Sequence, residues 1–233
     1  MTDAMIELSD VRFRWLPDAP FVLNIKRFQI KTGERVFIQG PSGSGKSTLL
    51  SILVGIAIPE TGAVKINGTN LPQLKSTERD AFRAEHIGII FQMFNLIPYL
   101  SSIENIILPC QFSQNRNAVA IGKSNNVESE ARRLLSQLQL HDESTINSPA
   151  FGLSIGQQQR VAAARSLIGS PRLIIADEPT SALDLDVRQT FMNLLFNEVA
   201  DAGATLVFVS HDPNLAEQFD RHIKLSDINK VNV

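Results

Sequence analysis

Arg35-Val36-Phe37-Ile38-Gln39 runs straight into Gly40-Pro41-Ser42-Gly43-Ser44-Gly45-Lys46-Ser47-Thr48, and this stretch decides the fold. The first five residues form a short apolar run rich in β-formers and read as a strand. The next nine fit G-x-x-x-x-G-K-[S/T], and a helical pattern follows from Lys46 to about Ile56. A strand, a glycine-rich turn and a helix in that order make a cradle for phosphate. Glycines let successive N–H groups point inward, and the helix N-terminus adds its positive end. Gly40, Pro41, Ser42, Gly43, Ser44, Gly45, Lys46, Ser47 and Thr48 are therefore the candidate nucleotide-binding residues. Lys46 would reach the β- and γ-phosphates, and the Ser47 hydroxyl would ligate Mg²⁺.

Outward from this stretch, Ile87 to Phe91, Leu173 to Ala176 and Thr205 to Val209 are further short apolar runs. Such runs suit strands buried on both faces, as in a parallel sheet. Met5 to Phe13 alternates more loosely, and Val64-Lys65-Ile66 leads into the hairpin pair Asn67-Gly68. These pieces predict a small antiparallel sheet. From Ser101 to about Gly169 the pattern is helical. Ser101 and Glu104 have capping-box spacing, and Val127, Ala131, Leu134, Leu135 and Leu138 share one helix face. Gln114 to Asn126, polar and Asn-rich with Gly122, reads as an exposed loop. A last helix is expected from about Asp186 to Ala202, with Phe191, Leu194, Leu195 and Val199 inward and Gly203 as its stop.

Composition removes several function classes. The 233 residues are 43% hydrophobic and 20% charged, enough apolar material for a core. The net charge of −2 supplies no basic footprint for nucleic acid. One cysteine, Cys110, excludes an internal disulfide, and no Cys/His cluster has zinc spacing. Neither a signal peptide nor an apolar run of bilayer length is present, so the chain reads as cytoplasmic and not inserted in a membrane.

A second chemical element is Leu173-Ile174-Ile175-Ala176-Asp177-Glu178, a buried strand ending in two acids. In α/β folds ligands bind at that strand edge. Asp177 would hold the Mg²⁺ shell, and Glu178 would polarise an attacking water.

With these in order, short stretches along essentially the whole chain resemble the nucleotide-binding subunit of ATP-binding-cassette transporters. Beyond the two above, Gln92 follows the run Ile87 to Phe91, where that family has its Q-loop. Leu153-Ser154-Ile155-Gly156-Gln157-Gln158-Gln159-Arg160 is similar to its signature, Ser181-Ala182-Leu183-Asp184 to its D-loop, and His211 to its switch histidine. The resemblance implies an α/β fold: a P-loop NTPase with a mainly parallel core sheet, a small antiparallel β subdomain and an inserted helical subdomain. It divides the chain into a RecA-like core, 1–95 and 171–233, and a helical subdomain, about 96–170, that carries the signature. It implies an ATPase that forms a head-to-tail homodimer around two ATP molecules. Ser154, Gly156 and Gln157, with the helix they open, would face the γ-phosphate held by the partner. Asp184 would belong to the D-loop, Glu178, His211 and Gln92 to the catalytic group, and Ser47, Gln92 and Asp177 to the metal.

Trp15 stands where the family carries an aromatic that stacks on adenine; Phe13 and core packing of Trp15 are the competing assignments. Ile155 departs from the family's usual glycine. If its φ were positive a β-branched residue would be strained, so a negative φ with the side chain pointing away is expected. Nothing after the last segment suggests an appended regulatory domain. The chain is therefore expected to drive a separate integral membrane permease from the cytoplasmic face of the inner membrane. Gln92 to Tyr99 with Ser101 to Asn105 is the expected contact region, and internal packing of the same residues is the equal alternative. Within the family the chain looks most like the lipoprotein-releasing and macrolide-efflux ATPases. An amino-acid-type importer subunit and a soluble, non-transport ATPase of the family are the alternatives.

Overall fold

The computed structural model describes residues 4–181, 183 and 185–231. In chain order the elements are β1 (Ala4–Phe13), β2 (Leu23–Lys31), β3 (Arg35–Gln39), α1 (Lys46–Leu53), β4 (Thr61–Ile66), β5 (Thr69–Asn70), α2 (Ser76–His86) and β6 (Ile87–Ile90). There follow α3 (Ser102–Phe112), α4 (Gln114–Ser124), α5 (Val127–Gln137), α6 (Glu143–Asn147), α7 (Ile155–Leu167), β7 (Leu173–Asp177), α8 (Leu185–Asp201), β8 (Thr205–Ser210), β9 (Arg221–Lys224) and α9 (Leu225–Ile228). They divide into two compact units, 1–83 with 205–233, and 84–204.

The first unit holds two sheets. One is antiparallel, in the order β2-β1-β4-β5, with Ile6, Leu8, Val11, Leu23, Ile25, Ile30, Val64 and Ile66 fully buried. Its β4–β5 connection is Asn67-Gly68, both at positive φ (49° and 77°), which is the hairpin that dipeptide predicts. In the other, β3 lies between β8 and β9 and runs parallel to both. Val36, Phe37 and Ile38 are wholly buried between these neighbours, as expected of a strand covered on both faces.

The second unit pairs β6 parallel with β7 and holds the helices α3 to α8, of which α7 packs on β6. The capping box at the start of α3 forms as the spacing predicts: Glu104 N donates to Ser101 Oγ and Ser101 N to Glu104 Oε2. On α5 and at its end, Ala131, Leu134, Leu135 and Leu138 are buried; on α8 so are Phe191, Leu194, Leu195 and Val199. One expectation fails. The stretch from Gln114 is helical, not a loop: α4 is capped by Ser113, whose Oγ accepts from Arg116 N at 3.0 Å. Arg116, in its first turn, is 2% exposed. Tertiary hydrogen bonds hold a helix that its polar composition disfavours.

Candidate active site

In the first unit, strand register delivers the phosphate turn. Gln39 lies opposite Ser210 on one side and Lys224 on the other, so Gly40 and His211 leave the sheet at the same carboxyl end. Gly43 and Gly45 have φ of 78° and 97°. A Cβ on Gly45 would sit 3.2 Å from the Val22 carbonyl oxygen and 3.3 Å from Leu23 Cδ2, so strain and crowding both select glycine there. Gly45 precedes α1, whose first turn holds no acidic residue, so the positive end of the helix is unopposed. Lys46 Nζ folds back over the turn and donates to the carbonyls of Gly40 (2.7 Å) and Pro41 (2.9 Å). Pro41, Ser42, Gly43 and Ser47 are exposed, Ser44 half-buried, and Gly40 and Thr48 buried. A left-handed glycine turn, a helix N-terminus and a lysine head lying over them suit a polyphosphate.

Beside this turn lies a cleft of about 370 Å³ lined by Gln39, Gly40, Pro41, His211, Lys224 and Ser226. It brings His211 to the phosphate turn, as the motif order implied. Lys224 and Ser226 were not foreseen, because only the β3–β9 register places them there. Trp15, in the loop after β1, is 59% exposed and meets Phe13 edge-on, with centroids 4.8 Å apart. Phe13 is itself in the core.

In the second unit, Ile90 is opposite Ala176, so Gln92 and the pair Asp177-Glu178 leave the strands at one end. Gln92 is exposed, Asp177 half-buried and Glu178 buried. Glu178 has φ of 47°, a left-handed conformation that costs a non-glycine residue about 1–2 kcal/mol. Strain of that kind concentrates where chemistry is done.

Ser154 caps α7. Its Oγ accepts from Gln157 N, and Gln157 Oε1 accepts from Ser154 N, closing a capping box. Ile155 is the first helical residue, its φ is negative, and its side chain is 62% exposed. The departure from glycine is thus accommodated without strain. Gly156 follows with open surroundings, the nearest side-chain atom to a Cβ there being Leu183 Cδ2 at 3.9 Å. Further along, the buried Gln159 donates from Nε2 to the Pro179 carbonyl, tying α7 to the turn just after Glu178. Sequence reading passed over this link, whose only signal is an apolar-face position filled by an amide. Asp184 lies outside the described residues.

Residues 23–181 match the family model described as ABC transporter. The chain belongs to the ABC transporter ATP-binding family. It is 38% identical over 206 residues to the lipoprotein-releasing system ATP-binding protein LolD of Syntrophotalea carbinolica, covering 88% of this chain and 87% of that protein. It is 38% identical over 230 residues to the macrolide export ATP-binding/permease protein MacB of Vibrio parahaemolyticus, where it spans 97% of itself but 34% of the relative. A dimeric, post-hydrolysis structure of the cassette MJ0796 bound to ADP and Pi, from Methanocaldococcus jannaschii, matches with a TM-score of 0.84 and 38% identity. That match covers 94% of each chain. As a member of this family the chain is an ATP-binding, ATP-hydrolysing subunit.

Proposed function

We propose that this ATPase drives a separate membrane permease of the efflux or lipoprotein-releasing type, through a homodimer that closes on ATP and opens after hydrolysis. The likeness to LolD over most of both chains supports that type, and the likeness to MacB, a macrolide export protein whose ATP-binding and permease parts share one chain, supports export. Among the described residues no helix is long and apolar enough to cross a membrane, which suits a subunit docked on the cytoplasmic face of the inner membrane. Met93, next to Gln92 in the chain, and Tyr99 further on are largely exposed, so this segment offers apolar surface to a permease helix.

The observation that carries the reading is the phosphate turn with His211 on the same strand edge. Gly40 to Thr48 hold the phosphates, with Lys46 as their counter-charge, and Trp15 stacks on the base. Ser47, Gln92 and Asp177 offer the hard oxygen donors that Mg²⁺ takes, and the ion there would neutralise charge on the β- and γ-phosphate oxygens. Glu178 accepts a proton from water, His211 and Gln92 contact the γ-phosphate side, and Ser154, Gly156 and Gln157 present the α7 N-terminus to ATP on the other protomer. Asp184 belongs to the D-loop between them. The core comprises 1–95 and 171–233 and the helical subdomain about 96–170.

Glu178→Gln should trap the closed dimer: with ATP and Mg²⁺ it elutes as a dimer, and without nucleotide as a monomer. A monomer under both conditions sinks the dimerisation reading. Affinity purification from detergent-solubilised membranes of the source cell should recover a permease with a large extracytoplasmic domain. An importer-type permease with a solute-binding protein would replace the efflux reading.

A further inference from the structure

Immediately after Gln92 the chain makes an unusual turn. Phe94 and Asn95 are consecutive residues with φ of 59° and 50°. Asn tolerates the left-handed region, but a bulky aromatic does not settle there unaided. Local bonds are sparse: Phe94 N donates to Phe91 O at 3.0 Å and Asn95 N to Met93 O at 2.6 Å. What seizes the turn comes from α7. Arg165 donates from one terminal nitrogen to Phe94 O at 2.6 Å and from the other to Asn95 O at 2.7 Å. One planar guanidinium thus grips both left-handed residues through a two-point fork, which a lysine could not reproduce.

The grip is rigidly based. Arg116 donates to Ser166 O (3.1 Å) and Ile168 O (2.6 and 2.9 Å) at the end of α7. A Cβ on Gly88, in β6, would lie 2.2 Å from Ser166 O, so β6 and the last turn of α7 meet backbone to backbone. Arg165 and the strand that feeds the turn are therefore anchored to one another. Burial pushes Arg165 down to about 10, and it remains charged at neutral pH.

We propose that Arg165 is a positioning residue: from the helix that begins with the signature, it clamps the left-handed Phe94-Asn95 turn and so sets the direction in which Gln92 is presented. The same helix carries Ser154 at its other end, so a displacement of α7 would be passed to Gln92 through this clamp. The inference rests on the assignment of Gln92 to the γ-phosphate side.

The test compares wild type, Arg165→Met and Arg165→Met/Phe94→Asn as full chains. Amide hydrogen exchange of the nucleotide-free protein over residues 93–97 should speed up at least about tenfold in Arg165→Met, because the turn loses its clamp. The kcat for ATP should fall about tenfold, with KM for ATP within about twofold of wild type, since the phosphate turn is untouched. Phe94→Asn, which relieves the left-handed strain, should restore at least about a third of the lost kcat. Exchange at wild-type rates over 93–97, with or without loss of kcat, overturns the clamp; failure of Phe94→Asn to restore kcat overturns the strain argument. If Arg165→Met does not fold, Arg165→Lys is read instead, with smaller changes in the same direction expected and unchanged exchange overturning the clamp. Wild-type protein without ATPase activity would defeat the functional reading, and the exchange comparison would still decide the clamp.

Discussion

Arg116→Met should cost the fold about 2–3 kcal/mol. The side chain is 2% exposed, and its well-formed bonds go to the carbonyls of Ser166 and Ile168, where α7 ends. Three longer ones, at 3.4–3.5 Å, reach Ala84, Ile87 and Arg165. Removing the guanidinium leaves two buried acceptors without their donor, at about 1–3 kcal/mol each. It also removes a cation from a helix C-terminus, about 0.5–2 kcal/mol. Against this stands relief of the charge's own burial, which lowers the Arg116 pKa to about 10, together with the good packing of a methionine in the same volume. The losses sum to about 2.5–8 kcal/mol and the relief, from the ordinary arginine value down to about 10, is worth about 3, so the net centres on about 2–3 kcal/mol. Urea unfolding should show it as a lower midpoint at unchanged slope. Arg116→Lys, able to reach one or two of the carbonyls, should lose roughly half as much. A loss below about 1 kcal/mol for Arg116→Met would refute the reasoning, since it would mean the α7 carbonyls find other donors at little cost.

Gly88→Ala should destabilise by about 2–3 kcal/mol or more in the same assay, because its Cβ would stand 2.2 Å from Ser166 O; an unchanged midpoint would show that β6 and α7 separate freely. Ile155→Gly should leave ATPase activity within about twofold, since Ile155 is helical and exposed; a several-fold rise would mean the side chain obstructs the partner's nucleotide. Glu130 supplies a pH test. Burial pushes its carboxyl up, but hydrogen bonds from Arg133 and Ser124 and the charges of Arg133 and Lys123 outweigh this and hold it below the usual 4.5. A depressed carboxylate stabilises the fold above its ordinary value and loses that contribution as pH falls through the lowered one. The Tm gap between wild type and Glu130→Gln should therefore be full near pH 7 and close below pH 4.5. A gap that stays constant across that range would refute the assignment.

Much of the site was legible because its signals are local. The glycine turn between strand and helix, the Asn67-Gly68 hairpin and the Ser101–Glu104 box each depend on residues within a few positions of one another, and the backbone form of each appears in the structure. What failed was non-local. Gln114 to Asn126 read as a loop because its composition is polar, whereas α4 is held by Arg116, whose main acceptor is 52 positions on. Position favoured Trp15 over Phe13 as the base-stacking aromatic, but their burial was not legible: Phe13 lies in the core and Trp15 at the surface.

By itself, then, the sequence determined the kind of chemistry, since glycines, a lysine, paired acids and a capped helix at fixed spacing set local backbone geometry and charge. Only the tertiary structure decided the supports. The β3–β9 register brings Lys224 and Ser226 to the phosphate turn. Gln159 reaches Pro179, and Arg165 and Arg116 fasten α7 to backbone far along the chain. Those partners are carbonyl oxygens, which every residue possesses, so the side-chain code leaves no mark of which ones will be met until the chain has folded.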